Sequence, residues 1–299
     1  MKKILLPSLV VYSLFAAEEN FIEIGGGFSS GKDNFSTNSE KTISAYSNAK
    51  SKTGVIPNLS FYYGEDISSS TTVYSSMEHG EIIIGSEIET SFGMFDFGFK
   101  GDFFNDAWEN PFLLNSERKK TDVQEVGGYI SYGMPINEQY MAAIRYEHST
   151  IDYDKDTVIK DLKRDGTRQV LALENMIELN NTTNLFITPS FEKYKADGSA
   201  SSYDIFGIEL GFQKQINSKY EVAVLVEANK KEYDNLNTIL NKKISSNKIG
   251  LISSLTINEP LSFEDTYLSF TAGYEKDNAN HNFYDKENQF GMISVGYTF

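Results

Sequence analysis

The chain has 299 residues, of which 40% are hydrophobic and 13% aromatic, and its formal net charge is −15. An excess of acids this large argues against nucleic acid as a partner and against a basic patch that binds anionic membrane surfaces. The chain has no cysteines, so disulfides cannot stabilise it, and a barrel closed by its own hydrogen bonds does not need them.

The first residues are typical of a secretory signal peptide. A basic start precedes an apolar run over 4–15 that is too short to span a bilayer, and Ala16 and Ala17 follow as small residues near a cleavage site. The alternative is an N-terminal anchor, since the cleavage site is imperfect. We therefore predict a signal peptide over 1–17 and a single domain over 18–299.

From residue 21 onward, segments of alternating apolar and polar residues repeat along the chain. In the clearest of them, over 94–103, phenylalanines alternate with Asp96, Lys100 and Asp102. This period of two predicts strands over 21–28, 53–63, 67–77, 81–92, 94–103, 121–133, 140–150, 166–179, 183–195, 202–213, 220–230, 243–257, 266–276 and 289–299. Segments of about ten residues have the length of tilted membrane strands. We expect an all-β, antiparallel, up-and-down transmembrane barrel of about 14 strands, with 12 or 16 as alternatives.

The connections between these segments alternate between long and short. The long ones cover 29–52, 105–120, 151–165, 231–242 and 277–286, and the short ones lie near Gly64, Gly93, Pro135, Asn181, Ile216 and Asn258. With a periplasmic N-terminus, the long connections all fall outside the cell. Aromatic residues near the strand ends predict two girdles at the membrane interfaces.

The final strand has an apolar face and ends in Tyr297 and Phe299. This ending resembles the C-terminal assembly signal of Gram-negative outer-membrane proteins. The resemblance implies recognition by the barrel-assembly machinery through Phe299, and contact with outer-membrane lipid and lipopolysaccharide. The alternative for this strand alone is the last strand of a soluble sandwich.

The face opposite the apolar band would line the barrel interior, and it carries more acids than bases. The candidate lumen residues are Asp96, Lys100, Asp102, Glu125, Arg145, Glu147, Arg168, Glu174, Glu178, Glu209, Glu221 and Glu227. Side chains alone do not fill a barrel of this width, so we expect a water-filled lumen that favours cations. The alternative is a filled interior in which these charges only neutralise one another.

The connection over 105–120 is a candidate constriction loop. It combines Trp108 and other apolar residues with Arg118 and Lys119, and exposed apolar residues need cover. The loop folds into the lumen under this hypothesis. The alternative is a loop packed on the barrel rim or against lipopolysaccharide.

Nothing in the sequence indicates an enzyme. The three histidines, His79, His148 and His281, fall at predicted turns or strand ends, and the proximity of His148 to Ser149 does not differ from that in a solvated loop. The chain has no cluster with the spacing of metal ligands and no glycine loop for phosphate. We therefore expect no catalytic residue, metal or cofactor.

Six short stretches resemble a family of Gram-negative outer-membrane barrel proteins of unknown function. They are Ala107-Trp108-Glu109-Asn110-Pro111-Phe112, Arg118-Lys119-Lys120-Thr121-Asp122-Val123, Arg164-Asp165-Gly166, Ala196-Asp197-Gly198 with Ser202-Tyr203-Asp204, and Asn282-Phe283-Tyr284-Asp285. The resemblance covers nearly the whole mature chain and implies fold and location, not substrate. The function expected for such a barrel is a passive channel for small solutes, and the alternative is a surface structural or adhesion protein whose loops bind a partner.

Overall fold

The computed structural model describes residues 20–78 and 80–299, which form a closed barrel of 14 antiparallel strands. The strands are β1 (Phe21–Lys32), β2 (Lys52–Ser68), β3 (Thr71–Glu78), β4 (Glu81–Thr90), β5 (Gly93–Trp108), β6 (Lys120–Asn137), β7 (Tyr140–Tyr153), β8 (Gly166–Asn180), β9 (Thr183–Ala196), β10 (Tyr203–Asn217), β11 (Tyr220–Asn237), β12 (Lys242–Asn258), β13 (Thr266–Ala279) and β14 (Lys286–Thr298). Each strand pairs with the next, and β1 closes the barrel against β14. The predicted up-and-down barrel is confirmed, and the predicted signal peptide lies outside the described residues.

The alternation of side chains sets the two faces of the wall. On β5, Phe97 and Phe99 are 41% and 78% exposed on the outer surface. Asp96, which precedes Phe97 and points to the opposite face, is 1% exposed. Outward apolar side chains recur on other strands, among them Ile24, Ile130, Ile144, Leu173, Val226, Leu251 and Val295. An apolar outer surface of this kind suits contact with lipid.

Several predicted turns are wrong in position because the strands run further than their apolar alternation. The turn predicted at Gly64 lies inside β2, which continues to pair with β3 up to Ser68 opposite Thr71. Likewise β5 continues to Trp108 and β11 to Asn237, so the predicted loops 105–120 and 231–242 are shorter. Strand pairing is made by backbone groups, so the polar ends of these strands pair without apolar side chains.

The connections differ between the two ends of the barrel. One end, the short-turn end, has two-residue turns at 69–70, 91–92, 138–139, 181–182 and 218–219, and a longer connection over 259–265 with a 3₁₀ turn at Pro260–Ser262. The other, the long-loop end, has loops over 33–51, 109–119, 154–165, 197–202, 238–241 and 280–285, with 3₁₀ turns at Lys160–Leu162 and Asn282–Tyr284. The backbone N–H of Phe299 donates to the carbonyl of Asn20 at 2.8 Å, which joins both ends of the described chain at the short-turn end. The predicted segregation is confirmed for the longest connections, whereas the connection over 259–265 at the short-turn end is longer than the loop over 238–241 at the long-loop end.

Within residues 20–78 and 80–299, every helix is too short or too polar to cross a membrane.

Candidate functional site

The inner wall of the barrel carries the charged residues predicted to line a lumen. Since neighbouring side chains in a strand point to opposite faces, residues that alternate with the exposed apolar band point inward. The predicted residues on this inward face are Asp96, Lys100, Asp102, Glu125, Arg145, Glu147, Arg168, Glu174, Glu178, Glu209, Glu221 and Glu227. The strand register decides which of them meet.

Two tyrosines and one carboxylate form a buried group on this wall. Asp96 accepts hydrogen bonds from the hydroxyls of Tyr74 at 2.8 Å and Tyr129 at 3.0 Å, and the two hydroxyls also contact each other. Both lie over Gly85, where an added Cβ would be 2.6 Å from the Tyr129 hydroxyl oxygen and 2.7 Å from that of Tyr74. A side chain at this position would therefore displace the two tyrosine rings. The guanidinium carbon of Arg145 lies 4.0 Å from the centre of the Tyr129 ring, so the group holds a cation beside its carboxylate.

An ion-pair network continues from this group along β5 and β7. The ammonium of Lys100 is 2.5 Å from one Glu147 oxygen and 3.4 Å from Glu81. Arg145 donates from Nε to the other Glu147 oxygen at 2.7 Å, and its Nη1 is 3.7 Å from Asp96. These pairs fit the alternative of an ion-paired interior on this part of the wall.

Two further bases neutralise acids elsewhere on the inner face. Arg168 forms an ion pair with Glu125, which also accepts from Ser149 at 2.6 Å. Lys248 on β12 is 2.6 Å from Glu227 on β11 and 3.3 Å from Glu275 on β13. A base between two acids leaves the local charge negative.

A second set of inward acids has no such compensation. Among residues 20–78 and 80–299, Glu174, Glu178, Glu209 and Glu221 form no ion pair. Glu221 accepts a hydrogen bond from Gln213 at 2.9 Å. The inner wall is thus paired on β4–β8 and has an excess of negative charge from β8 to β11.

An apolar patch also lies inside the barrel, which the sequence analysis did not predict. Ile56, Leu225, Ile252 and Phe290 are buried together, with Met292 against them. These residues occupy the inward positions of their strands, so the period of two already contained the signal. Tyr62, Tyr203 and Tyr267 lie near strand ends, as the predicted girdle residues do, but they point inward and do not face lipid.

The loops at the long-loop end pack into one structure, the long-loop cluster, which consists of the six loops 33–51, 109–119, 154–165, 197–202, 238–241 and 280–285 together with the strand ends beside them. Its buried core is formed by Ile43, Phe112, Val158, Leu162, Ala200, Ile244, Phe283 and Tyr284, with Phe35, Tyr46, Leu114 and Tyr233 packed against it. Backbone contacts join loops that are distant in sequence, including a bridge between Ile43 and Leu114. The cluster gives the apolar loop residues the cover that they need.

The three residues of the candidate constriction loop belong to this cluster or border it. Trp108, at the end of β5, is fully buried and donates from Nε1 to the carbonyl of Ser36 at 3.1 Å. Arg118 is 2% exposed, whereas its neighbour Lys119 is exposed. The loop thus packs on other loops above the wall, and its action as a constriction stays a prediction.

Arg118 joins two loops through its guanidinium group. It donates to the carbonyls of Asn34 at 2.7 Å and Pro111 at 3.3 Å, to the hydroxyl of Ser39 at 3.0 Å, and to the carbonyl of Glu40. Burial lowers the pKa of Arg118 to about 10. The group still carries its charge at neutral pH, so all its donors stay available.

The structure describes two of the three histidines, His148 and His281. His148 is exposed on the outer face of β7, while Ser149 points inward to Glu125, so these neighbours cannot form a hydrogen-bonded pair. The ring of His281 accepts from the backbone N–H of Phe283 at 3.2 Å, and His79 lies outside the described residues. In the part of the chain that the structure describes, no three His, Cys, Asp or Glu side chains could hold a metal ion.

Solved structures with a similar fold are barrels of nearly the same extent. A FadL homologue of Pseudomonas aeruginosa matches with a TM-score of 0.55 and 7% identity over 94% of this chain and 91% of that chain. The toluene transporter TodX of Pseudomonas putida matches with a TM-score of 0.53 and 9% identity over 98% and 94% of the two chains. A protein described as the CymD monoaromatic hydrocarbon channel matches with a TM-score of 0.52 and 8% identity over 94% and 89%. At these identities the likeness shows the fold alone.

No curated protein matches the chain in sequence. The barrel fold and the apolar outer wall place the chain among outer-membrane β-barrels. A family model described as a protein of unknown function (DUF2860) matches residues 19–298. The chain belongs to this family of unknown function.

Proposed function

We propose that this outer-membrane barrel is a passive channel for small solutes and that its lumen favours cations. One observation carries the proposal, namely the excess of carboxylates on the inward face from β8 to β11, where Glu174 and Glu209 have no basic partner among the described residues. Fixed negative charge on the wall of a narrow aqueous passage raises the local concentration of cations and repels anions.

The width of the barrel supports a passage. Eight strands already enclose an interior that side chains just fill, and larger barrels enclose cavities or channels. A closed wall of 14 strands therefore leaves room between inward side chains, even with the apolar patch and the ion pairs in place. The long-loop cluster would be the constriction at the outer mouth, with Trp108, Arg118 and Lys119 in or beside it.

A second function is favoured by the long-loop cluster itself. Loops that share a buried core form a defined surface and not a set of separate tips. Such a surface suits a structural or adhesion protein that binds a partner outside the cell. In that case the barrel is an anchor, and passage of solutes is not required.

We also propose two contacts of the barrel in the membrane. Tyr297 and Phe299 are exposed at the short-turn end with their ring centres 6.0 Å apart, where the assembly machinery could recognise them. The long-loop end would face lipopolysaccharide. Truncation of Phe299 should reduce assembled barrel in the outer membrane without changing synthesis.

Planar-bilayer recording separates a channel from an anchor. The purified full-length protein should give conductance steps, and under a salt gradient its reversal potential should indicate a preference for cations. Glu174→Gln with Glu209→Gln should shift the reversal potential towards that of a non-selective pore. The matched control is Glu232→Gln, which removes the same charge from an exposed position paired with Lys230.

Absence of conductance steps from folded protein would contradict the channel and leave the anchor. Steps with a preference for anions would contradict the cation-favouring lumen alone.

A further inference from the structure

The uncompensated acids lie in one row around the inner wall. Glu174 and Thr188 occupy facing positions on β8 and β9, since Asn175 pairs with Ile187 one residue away. Thr188 pairs with Glu209 on β10, and Glu209 pairs with Glu227 on β11. Adjacent strands are about 4.8 Å apart, so Glu174 and Glu209 lie about 10 Å apart with the threonine hydroxyl between them.

Polar atoms in this row have no partner within the described part of the chain. Thr188 is 6% exposed and Glu174 is 3% exposed. The hydroxyl oxygen of Thr188 and one carboxylate oxygen of Glu174 are buried and make no hydrogen bond. Buried polar groups without a partner are costly in a folded protein, so this row is equipped to accept hydrogen bonds from a ligand.

The bases that flank the row are engaged elsewhere. Arg145 faces Ala172 in the ladder, two residues before Glu174, but its Nε donates to Glu147 at 2.7 Å. At the other end of the row, Lys248 is 2.6 Å from Glu227. Among residues 20–78 and 80–299, neither base forms an ion pair with Glu174 or Glu209.

An apolar row runs beside the acidic one. Phe186 lies two residues before Thr188, and Leu225 lies two residues before Glu227, so both share the inward face with the acidic row. Leu225 pairs with Ile252 on β12, and both are buried in the apolar patch. The wall thus places carboxylate and hydroxyl oxygens in one row and buried apolar side chains in the next.

An acidic row beside an apolar row indicates the chemical class of ligand that could bind there. A compact metal site is not formed by the described residues, and a row of separated carboxylates suits charges that are themselves separated. An ammonium group has three donors and no acceptor, which matches carboxylate and hydroxyl oxygens. Methylene groups between two ammonium groups would lie on the apolar row.

We propose that Glu174, Thr188 and Glu209 form a binding site for an aliphatic diamine or polyamine on the lumen wall. The proposal rests on the proposed function, because it takes the interior to be open to solutes. One ammonium group bonds to Glu174 and Thr188, a second bonds to Glu209, and the methylene chain between them lies along the wall beside the apolar row. The site would make amines of this class a preferred cargo or a blocker of the passage.

Isothermal titration calorimetry of the full-length protein in detergent micelles tests the site without requiring conductance. The probes are 1,4-diaminobutane, butylamine and the neutral 1,4-butanediol, which separate the two charges from the hydrocarbon chain. We expect the diamine to bind more tightly than butylamine and the diol not to bind. Glu174→Gln or Glu209→Gln should weaken diamine binding by roughly tenfold to a hundredfold, and Thr188→Val by about three- to tenfold.

The control Glu232→Gln should bind the diamine as the unaltered protein does, and each variant should keep its β-sheet circular dichroism. Equal binding of the diamine by the unaltered protein and the Glu174→Gln and Glu209→Gln variants would overturn the proposal, as would no binding at all. Conductance without diamine binding would refute the site and leave the channel. Diamine binding without conductance would refute the channel and leave the site.

Discussion

Replacing Arg118 by Met should release loop 109–119 from loop 33–51. In the folded protein its guanidinium donates to Asn34, Ser39 and Glu40, all in loop 33–51, and lies 4.5 Å from the centre of the Trp108 ring. Methionine keeps much of the side-chain length but supplies no donor. The carbonyl groups would then need water, which reaches them only when the loops separate.

The expected loss can be worked out from these contacts. A hydrogen bond to a charged group contributes about 1.5–3 kcal/mol, and the variant loses several. Burial of the cation offsets part of this, which is why the pKa of Arg118 falls to about 10. We take the net loss as that of two weak charged bonds, about 3 kcal/mol. Since about 1.4 kcal/mol corresponds to a factor of ten, the loops should open roughly 100-fold more often.

Digestion of the folded barrel with proteinase K measures this opening, because cleavage follows the population of the open form when closing is fast. The control is Lys119→Met, which removes the same charge from the next, exposed position. Arg118→Lys should fall between, since it keeps the charge without the planar fork. Cleavage of Arg118→Met no faster than that of Lys119→Met would refute the role assigned to the guanidinium.

Two further predictions concern the core of the long-loop cluster. Phe283 is fully buried and its ring centre is 5.4 Å from that of Phe112, so Phe283→Ala should destabilise the cluster by about 3–5 kcal/mol and speed the same digestion, with Phe283→Leu closer to the unaltered protein. Burial raises the pKa of Tyr284 from 10.0 to about 12; because the folded state favours the neutral phenol, its contribution to stability is complete below pH 10 and is lost as the pH rises through 12. Burial also raises the pKa of other tyrosines, so titration of phenolate absorbance should show several late-ionising groups, of which Tyr284→Phe removes one. A titration curve that is the same for Tyr284→Phe and the unaltered protein would contradict this.

The strands were predictable from sequence because the type of each wall residue depends on the environment that its own side chain faces. Lipid on one side and water or polar groups on the other impose a period of two, and Phe95, Asp96 and Phe97 show it without knowledge of any other strand. Lipid imposes this alternation only on residues within the membrane. Beyond it, the alternation weakens while pairing continues, so β5 reaches Trp108 and β2 reaches Ser68 against prediction.

The long-loop cluster was not predictable in this way because its contacts join distant parts of the chain. The side-chain amide of Asn34 donates to the carbonyl of Phe283, 249 residues away, and no periodicity marks such a pair. The resemblance to a family did include Trp108, Arg118 and Phe283, but without their roles. Apolar residues in an apparently polar loop were the available signal, and they indicated a need for cover without identifying the cover.

The charges inside the barrel were predictable in part, less than the strands and more than the long-loop cluster. The period of two places Glu147 and Glu174 on the inward face alike, but only the strand register puts Lys100 against Glu147 at 2.5 Å and leaves Glu174 without a base among the described residues. A shift of register by two residues would keep every face and change every pair. Composition therefore predicts the sign of the net charge on the inner wall, and the strand register decides where a cation can bind.

Variants of the long-loop cluster and variants of the charged wall should have different effects on passage through the barrel. If solutes pass through the long-loop cluster, opening it and changing the wall should act independently, since Arg118 lies in the loops and Glu174 and Glu209 lie on the strands. We expect Arg118→Met to raise the conductance in planar bilayers and to leave the reversal potential unchanged. The Glu174→Gln and Glu209→Gln variants should change the reversal potential and leave the conductance unchanged. Faster digestion of Arg118→Met with no change in conductance would place the cluster beside the passage, and would favour its role as a binding surface over its role as a gate.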